Sequence, residues 1–237
     1  MTDGDVLTDD QRWLAAAWPF VREHLPPAQA QVLEIGCGQL GGFVPAMRSA
    51  GYDAIGVDPG APDGPDYDRT EFEQHELKEP VDAIVASTSL HHVADLNDVL
   101  DRIRSALVPG GTLVVLEWAH ERFDEPTARW CFDRLAPPGG EQTWLHEHRE
   151  SWHSSGQSWS AHIEAHLREE PMHPGRDIVA GLQARFDTLS ITEGPYFFTS
   201  LDAMTSDHEQ AAIDAGQIQA TGIRYVGRRG PSAASSA

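Results

Sequence analysis

Basic residues are scarce in this chain: 17 Lys and Arg stand against 37 Asp and Glu, a formal net charge of -20 at pH 7 over 237 residues. A surface of that sign repels phosphate backbones and anionic membranes, which argues against a nucleic-acid substrate and against a membrane partner. Cysteine is nearly absent. Cys37 and Cys131 are too few for a disulfide framework, and the chain is long enough to fold without one, so a reducing cytoplasm is the expected setting. Also missing is any apolar stretch long enough to span a bilayer, and the opening MTDGDVLTDD is acidic with no apolar segment of signal-peptide type. There is no internal repeat. The low-complexity stretch is the Gly/Pro/Ser/Ala tail at 230–237, read as disordered.

What is present is 40% hydrophobic residues, enough for one sizeable core, expected as a single domain over 1–229. Between positions 8 and 25, Trp13, Ala17, Phe20 and Val21 recur near helical spacing, which predicts a leading helical cap that Pro19 breaks or kinks. A strand over Val32 to Ile35 runs into glycines and a helix over Phe43 to Ala50, stopped by Gly51. Strands are then expected at Asp53 to Val57, near Tyr67 to Phe72, and at Asp82 to Ala86. Asp95 can N-cap a helix whose Leu96, Val99, Leu100, Ile103 and Leu107 share one face, with Pro109, Gly110 and Gly111 ending it. The fifth strand, Thr112 to Leu116, is continuously apolar, as a covered parallel strand should be. Strands at Phe186 to Thr192 and Gly222 to Gly227, with a helix near Asp207 to Ala215 between them, finish the sheet. The alternation of strand and helix predicts a doubly wound, Rossmann-like α/β fold with seven strands and a mostly helical insertion at 118–173 after the fifth.

The chemistry concentrates at the first turn. Residues 32–41 read VLEIGCGQLG, a GxGxxG spacing that lets backbone and helix N-terminal N–H groups approach a ligand. Asp58, at the end of the second strand, can accept hydrogen bonds from the ribose of either a dinucleotide or an adenosyl cofactor. An acidic residue two positions before the first glycine (Glu34), then GVDPG at 56–60, VDA at 81–83, SLHHVADL at 89–96 and LVPGGTLVVLE at 107–117 follow in order. Across roughly residues 30 to 118 the chain thereby resembles the class I S-adenosylmethionine-dependent methyltransferases, and GIRYVG resembles that family's closing strand. The insertion is not covered by these signatures.

The resemblance implies a mostly parallel sheet with the last strand antiparallel and S-adenosyl-L-methionine lying across the ends of strands one, two and four. Glu34, Gly36 and Gly38, with Cys37 as a small residue in the turn, would shape the pocket for the methionine portion, and Asp58 would bind the ribose. Pro59 or its neighbour would pack on adenine, Glu73 and Gln74 match the position near the adenine amine, and Ser87 would contact the methionine end. Methyl transfer mainly requires alignment of nucleophile, methyl and sulfur. For a hydroxyl or protonated amine acceptor, His91, His92, Glu117 and His120 are the candidate proton acceptors, although His91 and His92 also suit packing or cofactor orientation.

The insertion carries His146, His148, His153 and His162, with His166 and His173 beyond them, but no HExxH, and its cysteine, Cys131, stands apart from them, so no metal is expected. Its Trp144, Trp152 and Trp159 suit core packing, a lid or wall over a small-molecule acceptor, or a homodimer interface. An NAD-dependent oxidoreductase is opposed by Glu34 and the SLHHV and LVPGG segments; a non-catalytic adenosylmethionine-binding scaffold would differ only in yielding no methylated product.

Overall fold

The computed structural model describes residues 7–137 and 143–231; the first six residues and positions 232–237 of the expected disordered tail lie outside them. In chain order the elements are α1 (Asp9–His24), β1 (Gln31–Ile35), α2 (Val44–Ser49), β2 (Asp53–Val57), β3 (Tyr67–Asp68), β4 (Val81–Ser87), α3 (Leu96–Ala106) and β5 (Leu107–Trp118). There follow α4 (Glu125–Phe132), α5 (Trp144–Ser155), α6 (Trp159–Glu169), α7 (Gly175–Arg185), β6 (Asp187–Gly194), α8 (Ser206–Asp214) and β7 (Gly222–Arg228). They group into a sheet unit (Ala17–Glu117, His173–Thr192, Ile223–Ala237) and a helical unit (Met1–Ala16, Trp118–Met172, Glu193–Gly222).

The sheet has the order β3-β2-β1-β4-β5-β7-β6. Strands β1 to β5 pair in parallel, with Val32 opposite both Ala54 and Ala83, and Ile84 opposite Leu113. β7 runs antiparallel to β5: Gly110 and Gly111 exchange backbone hydrogen bonds with Arg229, while Ala119 donates to Thr221. The central strands are apolar on both faces because helices cover them, and Ile84, Val85, Leu113, Val114 and Val115 have no exposure. Val99, Leu100 and Ile103 of α3 face that core, as their spacing requires, and Asp95 caps the helix by accepting from Asn97 and Asp98 N–H. The reversal of strand order between β1 and β4 matters for function: these neighbouring parallel strands present their C-terminal ends side by side.

Three expectations need correction. Pro19 does not break α1, which continues through it. The residue four back, Ala15, is exposed, so the carbonyl that loses its partner is available to water. Pro109, Gly110 and Gly111 do not end α3; the helix stops at Ala106, and these residues bulge within β5, where Val81 and Ala83 face Leu107 and Thr112. The third strand is only Tyr67–Asp68, followed by a 3-10 turn at Phe72–Gln74. Helix α7 gave little signal, with Ile178 and Leu182 as its buried pair; its Gly181 lies so close to α3 that a Cβ there would sit 2.6 Å from Leu100.

In the helical unit, α4, α5 and α6 pack around an aromatic core of Trp118, Phe123, Phe132, Trp152, Trp159 and Phe197. The Trp159 indole donates to the Phe123 carbonyl at 2.6 Å, so this tryptophan is a core residue with its polar edge satisfied.

Candidate active site

The glycine turn after β1 is built on Glu34. That residue has no exposure, and its Oε2 accepts the Phe43 N–H at 2.8 Å, anchoring the chain where α2 begins. Burial pushes its pKa up to about 8, against the lowering effect of the Phe43 and Val44 amides. Oε1 is buried with no hydrogen-bond partner, and a Cβ on Gly42, at φ +56°, would collide with it. Gly36 has φ +81°, and a Cβ there would lie 2.5 Å from the Ser89 Cβ and 2.7 Å from the Ser87 carbonyl oxygen. The ends of β1 and β4 thus approach more closely than any side chain permits. Cys37 is buried, and its thiol is pushed up to about 12, chiefly by burial and then by Glu34 and Asp58, which makes it a poor nucleophile.

Asp58 follows β2. Its Oδ1 accepts the Gly60 N–H at 2.6 Å, which fixes the carboxylate at the strand end and leaves Oδ2 as an acceptor for a ligand hydroxyl. Pro59 is exposed next to it; Glu73 and Gln74 occupy the 3-10 turn, Glu73 half-buried and Gln74 exposed. Ser87 closes β4 and is 4% exposed.

Strands β4 and β5 bring a further pair together. His91 Nδ1 lies 2.6 Å from Glu117 Oε2, and the other oxygen of Glu117 accepts the Leu90 N–H at 2.7 Å. The carboxylate is therefore bonded on both sides inside the protein, and it selects the His91 tautomer with the proton on Nδ1, making Nε2 the basic nitrogen. His92 is exposed, with its ring 4.1 Å from that of His91. His173 holds this loop, donating its backbone N–H to the His91 carbonyl and contacting the Val93 carbonyl through Nε2.

Sequence reasoning did not single out Tyr67, whose hydroxyl occupies the space where a Cβ of Gly41 would stand, nor Thr88, which takes φ +46° between Ser87 and Ser89. A left-handed conformation at a β-branched residue is strained, and no sequence signal announces it.

His120 belongs to the helical unit, buried with its ring 6.0 Å from Trp118. The histidines of the insertion separate into roles: His146 serves the α5 capping box with Thr143 and reaches the Ala136 carbonyl, while His148 Nδ1 meets His162 Nε2 at 2.9 Å. Among the described residues, no group of three or more His, Cys, Asp or Glu is arranged to hold a metal ion.

Residues 10–174 match the profile of the family described as Methyltransferase domain. The chain belongs to that family. It is a class I S-adenosylmethionine-dependent methyltransferase, with the seven-stranded, mostly parallel sheet and antiparallel β7 that the resemblance implied. A ubiquinone biosynthesis O-methyltransferase of Nitrobacter winogradskyi is 33% identical to this methyltransferase over 99 residues, covering 36% of this chain and 38% of that protein. The methyltransferase thus matches well under half the length of that relative. Its fold is similar to that of an S-adenosylmethionine-dependent methyltransferase from Mesorhizobium loti (TM-score 0.50, 17% identity, 90% of this chain and 98% of the other). It is also similar to geranyl diphosphate C-methyltransferase from Streptomyces coelicolor, solved with S-adenosyl-L-homocysteine (TM-score 0.55, 17% identity, 91% and 80%). No helix among the described residues is long and apolar enough to cross a membrane.

Proposed function

We propose that this methyltransferase acts on an oxygen or nitrogen atom of a small-molecule acceptor, with His91 as the proton-accepting group and Glu117 as its positioning partner. The observation that carries the reading is the buried His91–Glu117 pair at the ends of β4 and β5. S-adenosylmethionine, when bound, supplies an electrophilic methyl group on a sulfonium that leaves readily. The residues present fit that cofactor. Glu34 holds the turn from inside, the close approach at Gly36 exposes backbone in place of side chain, and Asp58 offers Oδ2 to ribose hydroxyls. Pro59, Glu73 and Gln74 would flank adenine, and Ser87, with Gly38 and the Cys37 backbone, the amino-acid end.

The acidic partner orients His91 and stabilises it once protonated, the arrangement that makes an imidazole an effective base. An oxygen acceptor agrees with the name of the Nitrobacter relative, and a small acceptor with a net charge of -20, which disfavours nucleic acid. The two buried free thiols suit a reducing compartment such as the cytoplasm.

The test is to supply S-adenosylmethionine labelled with ¹³C in the methyl group, together with pools of hydroxyl and amine metabolites, and to identify products by mass spectrometry. Labelled O- or N-methyl products are expected, and His91→Gln should lower kcat by about 10²-fold or more while retaining adenosylhomocysteine affinity. Label found on carbon, or in macromolecules, sinks the acceptor assignment; an unchanged kcat in folded His91→Gln sinks the base.

A further inference from the structure

We infer that a second cleft, between Phe72 with the segment His75 to Pro80 and the last turns of α3, binds a small monocarboxylate with an apolar body. The cleft measures about 270 Å³, at the small end for organic ligands, and its apolar walls are Phe72, Leu77, Pro80 and Ala106. Pro80 and Ala106 immediately precede β4 and β5, whose opposite ends carry Ser87 and Glu117, so this cleft is separate from the methyl-transfer site.

Two cations line it, Lys78 and Arg102. Lys78 is the only lysine among the 17 basic residues of a strongly acidic chain. Among the described residues neither Lys78 nor Arg102 has a carboxylate within ion-pairing distance. The guanidinium carbon of Arg102 stands 5.7 Å from the centre of the Phe72 ring, and Nη2 makes long contacts with the carbonyls of Phe72 (3.4 Å) and His75 (3.3 Å). Its Nε is buried with no hydrogen-bond partner. Arg102 is therefore partly desolvated with no carboxylate to offset the cost, and an anion in the cleft would supply that offset. His75, also on the wall, is committed to Asp68 at 2.6 Å and adds no donor from Nδ1.

The opposing charges set the number of negative charges tolerated. Glu79 lines the cleft, and Ser105 and Ala106 place the carbonyl end of α3 there. Both repel anions, so a single carboxylate is accepted where a phosphate dianion is not. The apolar walls then take a short aliphatic or aromatic body.

The single lysine makes the test direct. Reductive methylation of the full chain with ¹³C-formaldehyde keeps the charge of Lys78 and gives one lysine NMR signal, followed during titration with benzoate, benzamide and inorganic phosphate. Benzoate should move the signal saturably, while benzamide and phosphate should not saturate. By calorimetry on unmodified protein, Arg102→Gln should bind benzoate about tenfold more weakly or worse, and Lys78→Gln, an exposed and fold-neutral change, several-fold more weakly. Adenosylhomocysteine affinity verifies that each variant is folded; if Arg102→Gln is not, the Lys78→Gln result decides. No saturation with benzoate, equal binding of benzamide, tighter binding of phosphate, or wild-type affinity in the folded variants would overturn the proposal.

Discussion

Glu34 occupies a position where ordinary carboxylate chemistry is suspended. With its pKa pushed up to about 8 by burial, the side chain is mostly neutral at pH 7, and it acts as a hydrogen-bond acceptor for the Phe43 N–H. Because the folded-state pKa is raised above 4.5, its contribution to stability is fully present below pH 4.5 and is lost as pH rises through about 8. A neutral isostere should therefore serve: Glu34→Gln is expected to change unfolding free energy by less than about 1 kcal/mol, whereas Glu34→Ala strands a buried N–H and costs about 1–3 kcal/mol. Urea denaturation at pH 7 measures both, and a Gln variant as unstable as the Ala variant would mean that the ionised form is required. The glycine turn after β1 and the place of Asp58 at the end of β2 were legible because both follow from local spacing. The anchoring of Phe43 by Glu34 was not, nor was the His91–Glu117 pair, since 26 residues separate those two and only the adjacency of β4 and β5 joins them. The strain at Thr88 follows from the fold alone.

At the level of elements, α5 and α6 are joined through a histidine pair that cannot be fully protonated at its 2.9 Å separation. Burial holds the pKa of His148 down to about 3, with His166 and His162 adding to the effect. Its neutral ring lies 4.0 Å from that of Trp144 and is held by the bond to His162. A depressed pKa contributes stability that is present above 6.5, the unfolded value, and is lost progressively as pH falls toward 3. The partial exposure of His162 lets solvent screen the pair, so the slope should stay below the limit of about 1.4 kcal/mol per pH unit. Glu34 slopes the other way over part of this range, so the total curve is not diagnostic. The difference is: as pH falls from 7 to 4, thermal unfolding should show wild type losing stability relative to His148→Gln, and parallel curves would remove His148 as the titrating group. The sheet elements were readable because covered parallel strands are unbroken apolar runs, as in DAIVA and TLVVL. Pro19 and the Pro109–Gly111 segment misled because each residue type breaks helices in isolation, whereas here solvent accepts the lost bond in one case and a bulge absorbs the residues in the other. Helix α7 went unnoticed because its packing uses a glycine, Gly181, which carries no hydrophobic signal.

Over the whole molecule, the motifs that identify the family end near Glu117, where the sheet unit gives way to the helical one. The residues proposed to hold the cofactor, from Glu34 to Ser87, all lie in the sheet unit, and so does the His91–Glu117 pair with its tether from His173. Residues 118–172, by contrast, form an aromatic core of their own, with Trp118, Phe132, Trp152 and Trp159 each at most 5% exposed. Cofactor binding and acceptor choice should then be separable functions of the chain. Exchanging residues 118–172 for the corresponding segment of another class I methyltransferase, with His173 retained so that the 91–93 loop keeps its tether, is expected to leave adenosylhomocysteine affinity within the same order of magnitude. Retained affinity also shows that the chimera has folded. Acceptor preference should move to that of the donor enzyme, read as the identity of the ¹³C-methylated product. A chimera that keeps the original acceptor but changes from dimer to monomer in sedimentation would assign this segment to self-association, because a buried aromatic cluster serves an interface as readily as it serves a wall around a substrate.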